Sequence, residues 1–204
     1  RAGLREAACR SGVHPAQVGR WRTYGVDASK QSLPRTPENE AAFGLSTKQP
    51  ALPQRLVVGV VALGQRMLWD WESGRGNGSE RELTMRAILR LERGALAVRD
   101  AAKLRYEDFR AAIQQGLHLL VRVGANYSLW AQQVQAQRRR GGEVWLWPQN
   151  RQGQDPPLRL RMIVLRRWAR RKVGGRWIRS AESMYLLTTV LDPKALTDRE
   201  AAEI

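Results

Sequence analysis

Gly25-Val26-Asp27-Ala28-Ser29, followed by Leu33-Pro34-Arg35-Thr36-Pro37-Glu38-Asn39-Glu40-Ala41-Ala42-Phe43, is the stretch whose reading decides the fold. Tyr24-Gly25-Val26-Asp27 reads as a short apolar strand, with the carboxylate where the strand stops. Pro34 and Pro37 then forbid a continuing helix or a central strand. Thr36 is placed to cap a short helix, with Pro37 at its first position and an acid near its N-terminus. An acid that ends a strand is a way to present a metal ligand. It is also a way to leave a strand for solvent, and on these residues alone both readings stay open.

Working outward, residues 55–63 are β-branched and apolar throughout, as a strand buried on both faces should be. Gly64-Gln65 reads as a hairpin turn, and 66–72 as the returning strand, so that Asp27 belongs to a three-strand meander. The glycine loop 74–80 lacks the Gly-Lys-Ser/Thr ending of a phosphate-binding loop. Ser79 caps a helix predicted over 80–92, with Leu83, Ile88 and Leu89 on its buried stripe. Gly94-Ala95-Leu96-Ala97-Val98-Arg99-Asp100 repeats the first pattern, a short apolar strand ending in an acid. A helix over 106–115 and a strand over 117–123 follow, closed by Gly124-Ala125-Asn126.

Before this core, residues 4–9 read as one helix and 14–21 as a second, around the turn Ser11-Gly12-Val13. Such a pair resembles a helix-turn-helix and also a simple packing pair. After the core the texture changes. Strand candidates at 143–147, 158–165 and 177–179 are separated by Gln-rich and Arg-rich turns, and Pro148, Pro156 and Pro157 break any long helix. A last strand over 184–191 ends at Asp192-Pro193, and Thr197 or Asp198 caps a final helix.

Composition narrows the partners. The 204 residues suit one domain, or one domain with an insertion. Lys and Arg total 35 against 19 Asp and Glu, a formal charge of +16, and most of the cations are Arg. Arg grips phosphate bidentately, so the surplus points to nucleic acid, with a ribosomal-type or merely GC-biased basic protein as the plainer reading. Arg159, Arg161, Arg166, Arg167, Arg170, Arg171, Lys172, Arg176 and Arg179 form a run without an acid, with Trp168 and Trp177 inside it and Trp145 and Trp147 nearby. Such interleaving suits backbone tracking with base stacking. The tryptophans also read as the small core of the insertion. Of this run, all but Arg179 are named as candidate DNA-binding residues. Cys9 is the only cysteine, which excludes an internal disulfide and a cysteine-rich zinc site. His14 and His118 carry no ligand spacing and read as structural. The longest apolar run, 56–63, is too short for a bilayer, which needs about 20 residues. No secretory signal is visible, so a soluble, intracellular protein is expected, with no membrane partner. The start at Arg1 reads as an incomplete N-terminus.

Asp27-Ala28-Ser29, Leu33-Pro34-x-Thr36-Pro37-Glu38-Asn39, the segment Gly76-x-Gly78-Ser79-Glu80, the ending Arg122-Val123-Gly124-Ala125-Asn126 and the late Leu191-Asp192-Pro193 with Thr197-Asp198-Arg199-x-Ala201-Ala202-Glu203 occur in order. In that order and spacing, they resemble bacterial insertion-sequence transposases of the IS-four group over nearly the whole chain. The resemblance implies an α/β fold, an RNase H-like mixed sheet with a β-rich insertion and a short helical N-terminal segment. Its parts would be a helical segment at 1–23, the first part of the core at 24–126, a basic β-rich insertion at 127–180 and a return to the core at 181–204. It implies a DDE-type DNA transposase, with Asp27 and Asp100 as catalytic residues and ligands of Mg2+ or Mn2+. Partners would be double-stranded DNA at transposon ends and target, and a second copy of the chain when bound to DNA. The family's third carboxylate lies in a Tyr-x-x-Arg-x-x-x-Glu pattern after the point matched by Ile204, so neither Glu200 nor Glu203 takes that role and the metal site of this stretch is expected to be incomplete. Ala28 stands where the family has Gly, and Ala101-Ala102-Lys103 departs from its wording, bringing a cation near the metal position. A non-catalytic DNA-binding remnant is the alternative, and an RNase H-like nuclease of other purpose is a third reading.

Overall fold

The computed structural model describes residues 3–12, 14–46, 51–100, 105–123, 131–132, 141–148 and 156–204. The expected features at 101–103 and 124–126 lie outside the described residues. The chain divides into two compact units, Arg1–Val98 with Gln115–Leu117, and Arg99–Gln114 with His118–Ile204. The class is mixed α/β and rich in strands. Among the described residues no helix is long and apolar enough to cross a membrane.

In the first unit, helix α1 (Gly3–Arg10) forms as expected. The second helix expected over 14–21 does not form. The chain instead makes a tight hairpin between β1 (Gln17–Val18) and β2 (Trp21–Ser32), with Val18 opposite Trp21. Gly19 takes φ +61, which ends any helix there and supplies the turn. The hairpin frees Trp21 to start the strand, where it is buried. The helix-turn-helix reading falls with that helix.

Strand β2 also runs further than expected. It does not stop at Asp27 but continues to Ser32, because β3 (Gln54–Ala62) pairs it residue by residue from Tyr24 opposite Ala62 to Ser32 opposite Gln54. A ladder satisfies the backbone whether or not the side chains are apolar, so polar Ser29 to Gln31 stay in the strand. Pro34 follows shortly after its end. Helix α2 (Pro37–Phe43) then starts as the sequence predicts, Thr36 accepting a 3.3 Å bond from the Asn39 N–H. Strand β3 is not buried evenly on both sides: every second residue is buried and the others are half-buried.

Strand β4 (Met67–Arg75) returns antiparallel to β3, completing the three-strand meander. Its register slips between Val60 and Val61 of β3. The slip is a β-bulge, and it lets the consecutive residues Trp69 and Asp70 both be buried, with Glu72 after them. That explains why the sequence alternates only roughly here. Helix α3 (Glu80–Ile88) is capped by Ser79 and buries Leu83, Met85, Ala87 and Ile88 against β2, β3 and β4. Leu89, expected on that stripe, is half-buried just past the helix end. Strand β5 (Leu96–Asp100) then pairs parallel to β2, giving the order β4-β3-β2-β5. Tyr24, Val26, Leu56, Val58, Val60 and Leu96 form the core between sheet and helix, each buried side chain contributing about 1.5–3 kcal/mol.

The bulge also requires a counter-charge. Asp70 and Glu72 are 7% and 5% exposed, and both face the Arg90 guanidinium. Arg90 donates Nε and Nη2 to Asp70 at 3.0 and 2.8 Å and Nη1 to Glu72. Removing it leaves two buried carboxylates without their cation. Arg90→Ala is expected to lower stability by at least about 2 kcal/mol, the low side of breaking a buried pair because Arg90 is partly open to water. Denaturant midpoints measure this, and Asp70→Asn with Glu72→Gln should recover part of the loss.

In the second unit, helix α4 (Tyr106–Gln114) packs on β6 (His118–Val123). Short β7 (Ala131–Gln132) and β8 (Gly142–Leu146) precede two long strands, β9 (Leu158–Val173) and β10 (Arg176–Thr188). The order is β6-β10-β9-β8-β7, and along it β6 with β10, β10 with β9, β9 with β8 and β8 with β7 all pair antiparallel. Residues 166–179, expected as a basic turn, are instead the outer part of one hairpin turning at Gly174-Gly175. Strand β10 is continuous, so the boundary expected between 180 and 181 falls inside it. Leu119, Val121, Leu160, Ile163, Leu187 and Leu196 are buried. Helix α5 (Asp198–Glu203) begins in a full capping box between Thr197 and Glu200.

Candidate functional site

Asp27 sits in the middle of β2, opposite Gly59 of β3. Strand alternation sends Tyr24 and Val26 into the core and Asp27 to the other face, where it is exposed. Its Oδ1 accepts a 2.9 Å bond from the Ala28 N–H, which leaves Oδ2 for another partner. Gly59 directly across offers no side chain, so nothing on β3 at that register covers the carboxylate. Sequence reasoning passed over Gly59. The signal was there: a lone glycine inside a run of valines marks a close approach or a need for space.

Asp100 ends β5 and is also exposed. The Arg122 guanidinium of β6 pairs with it, Nε to Oδ1 at 2.9 Å, both side chains being more than half exposed. Arg99 donates Nε to the Asp100 carbonyl at 3.0 Å. The sequence reading used Arg122 in the ending Arg122-Val123-Gly124-Ala125-Asn126 and gave it no place at the site, although it is the one charged residue in the otherwise apolar Leu119-Leu120-Val121-Arg122-Val123. Within the first unit, β2 and β5 pair in parallel as Thr23 with Leu96, Tyr24 with Ala97 and Gly25 with Val98.

Both late acids are otherwise engaged. Glu200 accepts from the Thr197 N–H and hydroxyl, each at 2.8 Å, and Glu203 accepts from Arg199 at 2.8 Å. Among the described residues no group of three or more His, Cys, Asp or Glu comes together to hold a metal ion. His118 is half-buried, and burial holds its imidazole below the ordinary value.

The basic run separates into distinct environments. Arg159 is held bidentately by Glu143, at 3.0 and 2.7 Å, and lies over the Trp145 ring. Arg159 holds the Glu143 carboxyl below its usual range. Its fork is closed on that carboxylate in an exposed pair. Arg161 is 6% exposed, which removes it from any interface. Burial pushes its guanidinium below the ordinary value, against the attraction of Asp198 and Asp192. It donates Nη2 to the Leu196 carbonyl, while Nε and Nη1 find no hydrogen-bond partner among the described residues. Arg161 lies in the part of β9 flanked by β8 and β10, where residues 160–163 are all buried, and Arg166 and Arg170 lie beyond it.

Further along the hairpin, Arg166, Arg170 and Arg176 are exposed. Arg167, Arg171 and Lys172 lie in β9, and their side chains are outside the described residues. Trp168 and Trp177 are 65% and 70% exposed, so they are not the insertion's core, whereas Trp147 is buried. Arg179, which the sequence reading counted but did not assign, lies 4.7 Å over the Trp168 ring. The register would have found it, since Arg179 pairs with Arg170. Arg170, Trp177, Ile178 and Arg179 line an open concavity on this arm.

No protein-family model matches the chain, and no curated protein matches it.

Arg161→Met fills the same space without the unpaired donors. It is expected to leave stability within about 1 kcal/mol of wild type or higher, because buried ionic groups are replaceable by apolar ones of similar volume. DNA affinity should not move. Unfolding midpoints and fluorescence anisotropy with labelled duplex check the two parts.

Proposed function

We propose that the chain is a DNA transposase of the metal-dependent DDE type, in which Asp27 and Asp100 supply oxygen ligands and the arginine hairpin holds the DNA. The observation that carries this reading is the strand arrangement of the first unit. Three antiparallel strands, a covering helix and a fourth strand parallel to the first give the order β4-β3-β2-β5. Such an order suits the beginning of an RNase H-like sheet, and the chain carries an acid on β2 and another at the end of β5. The donor set fits the ion, since Mg2+ and Mn2+ favour carboxylate oxygen and both carboxylates are exposed. A bound divalent cation supplies activation of the attacking oxygen and stabilisation of the leaving one at phosphorus. Asp27 would offer Oδ2 while the Ala28 N–H fixes Oδ1. Asp100 would exchange Arg122 for the cation, an exchange of low cost because exposed ion pairs are worth about 0–1 kcal/mol. The net charge of +16 supports DNA as the partner.

A second reading, DNA binding without cleavage, is favoured by the same Asp100–Arg122 pair, which already neutralises one of the two carboxylates. Cleavage of plasmid bearing candidate end sequences, in Mg2+ or Mn2+, separates the two. Asp27→Asn and Asp100→Asn are each expected to reduce cleavage at least a hundredfold with duplex affinity unchanged. DNA binding with no cation-dependent cleavage in the wild-type chain would establish the second reading instead.

A further inference from the structure

The β9–β10 hairpin continues past the strands beside it. Strand β6 pairs β10 only from Tyr185 to Thr188, and β8 pairs β9 only from Leu158 to Met162. Over 166–183 the two strands pair with each other alone among the described residues. At about 3.3 Å per residue, 166–173 gives an arm about 26 Å long. Alternation places Arg166, Trp168, Arg170, Trp177 and Arg179 on one face and Arg176 and Ile178 on the other, so both faces carry exposed cations. The tip is Gly174-Gly175, with φ +56 and +81 and open space where each Cβ would stand.

A two-stranded β-ribbon fits the major groove of B-DNA, about 12 Å wide, and not the minor groove, about 6 Å wide. The groove has two phosphate walls, which matches cations on two faces. Unpaired bases are the competing ligand, because exposed tryptophans can stack on them. Trp168, however, has the Arg179 guanidinium over its ring, so it positions a cation rather than offering a free platform.

We propose that the ribbon 166–183 enters the major groove of duplex DNA tip first, its two faces turned to the two phosphate walls. The glycine tip carries no side chain to read base edges, so the grip does not depend on sequence. This rests on the DNA-binding part of the function proposed above and not on the carboxylates.

The test uses the whole chain in EDTA, with labelled blunt duplexes of A·T-rich and G·C-rich sequence and a single strand of equal length. Anisotropy is read across a salt series. Wild type is expected to bind both duplexes alike and to prefer them to the single strand. Methyl green, a major-groove ligand, should displace it, and netropsin, a minor-groove ligand, should not. The triple variant Arg170→Ala, Arg176→Ala, Arg179→Ala should flatten the log–log salt slope by about 2.7, at roughly 0.9 per phosphate contact. An unchanged slope, displacement by netropsin, or tighter binding of the single strand would overturn the proposal. A wild-type chain that binds through the ribbon yet never cleaves would count against the cleavage reading and leave this one standing.

Discussion

Strand β2 has two edges, and both are taken: β3 antiparallel on one, β5 parallel on the other. Most of the first unit follows from that constraint. A parallel neighbour cannot be reached by a tight turn, so the chain must cross over, and α3 is the crossing element. The helix needs an apolar floor, which Tyr24, Val26, Val58 and Val60 provide on one face of the sheet. Strict alternation then leaves Asp27 no choice of side. The bulge in β4 is a local exception that buries two consecutive residues, and Arg90 is the charge that makes the exception tolerable.

Legibility in the sequence varied with the kind of signal. Residues that state their own conformation were read correctly: Thr36-Pro37 and Ser79 start helices, and Thr197, one of two candidate caps, starts the last, where it closes a capping box with Glu200. The meander and the two acid-bearing strands were visible from apolar runs. Strand ends were not. Asp27 was taken as a terminus because the apolar run stops there, yet a strand ends where its partner ladder ends, and the partner lies thirty residues away in the chain. The second N-terminal helix failed for a similar reason, since Pro15 and a basic stretch resemble a helix start while Gly19 and the demand for Trp21 in the core decide otherwise.

The basic run shows a sharper limit. Composition treats Arg159, Arg161 and Arg170 alike, but one is closed on Glu143, one is buried, and one is exposed on the arm. Which is which depends on cross-strand register, and that was hidden because the hairpin had been divided into a turn and two short strands. Once β9 and β10 are known to run together to Gly174-Gly175, parity alone sorts the outer residues into two faces. Charge that looked diffuse in the sequence becomes a two-faced arm, while the carboxylates belong to other strands. In the proposed function, holding the DNA and acting on it would therefore fall to different residues, and substitutions can address the two separately.

The central proposal is that Asp27 and Asp100 are metal ligands. A Mn2+ titration followed by electron paramagnetic resonance addresses it without any need for catalysis. The account predicts that Asp27→Asn and Asp100→Asn each weaken Mn2+ binding at least tenfold. Affinity unchanged by either substitution would contradict it.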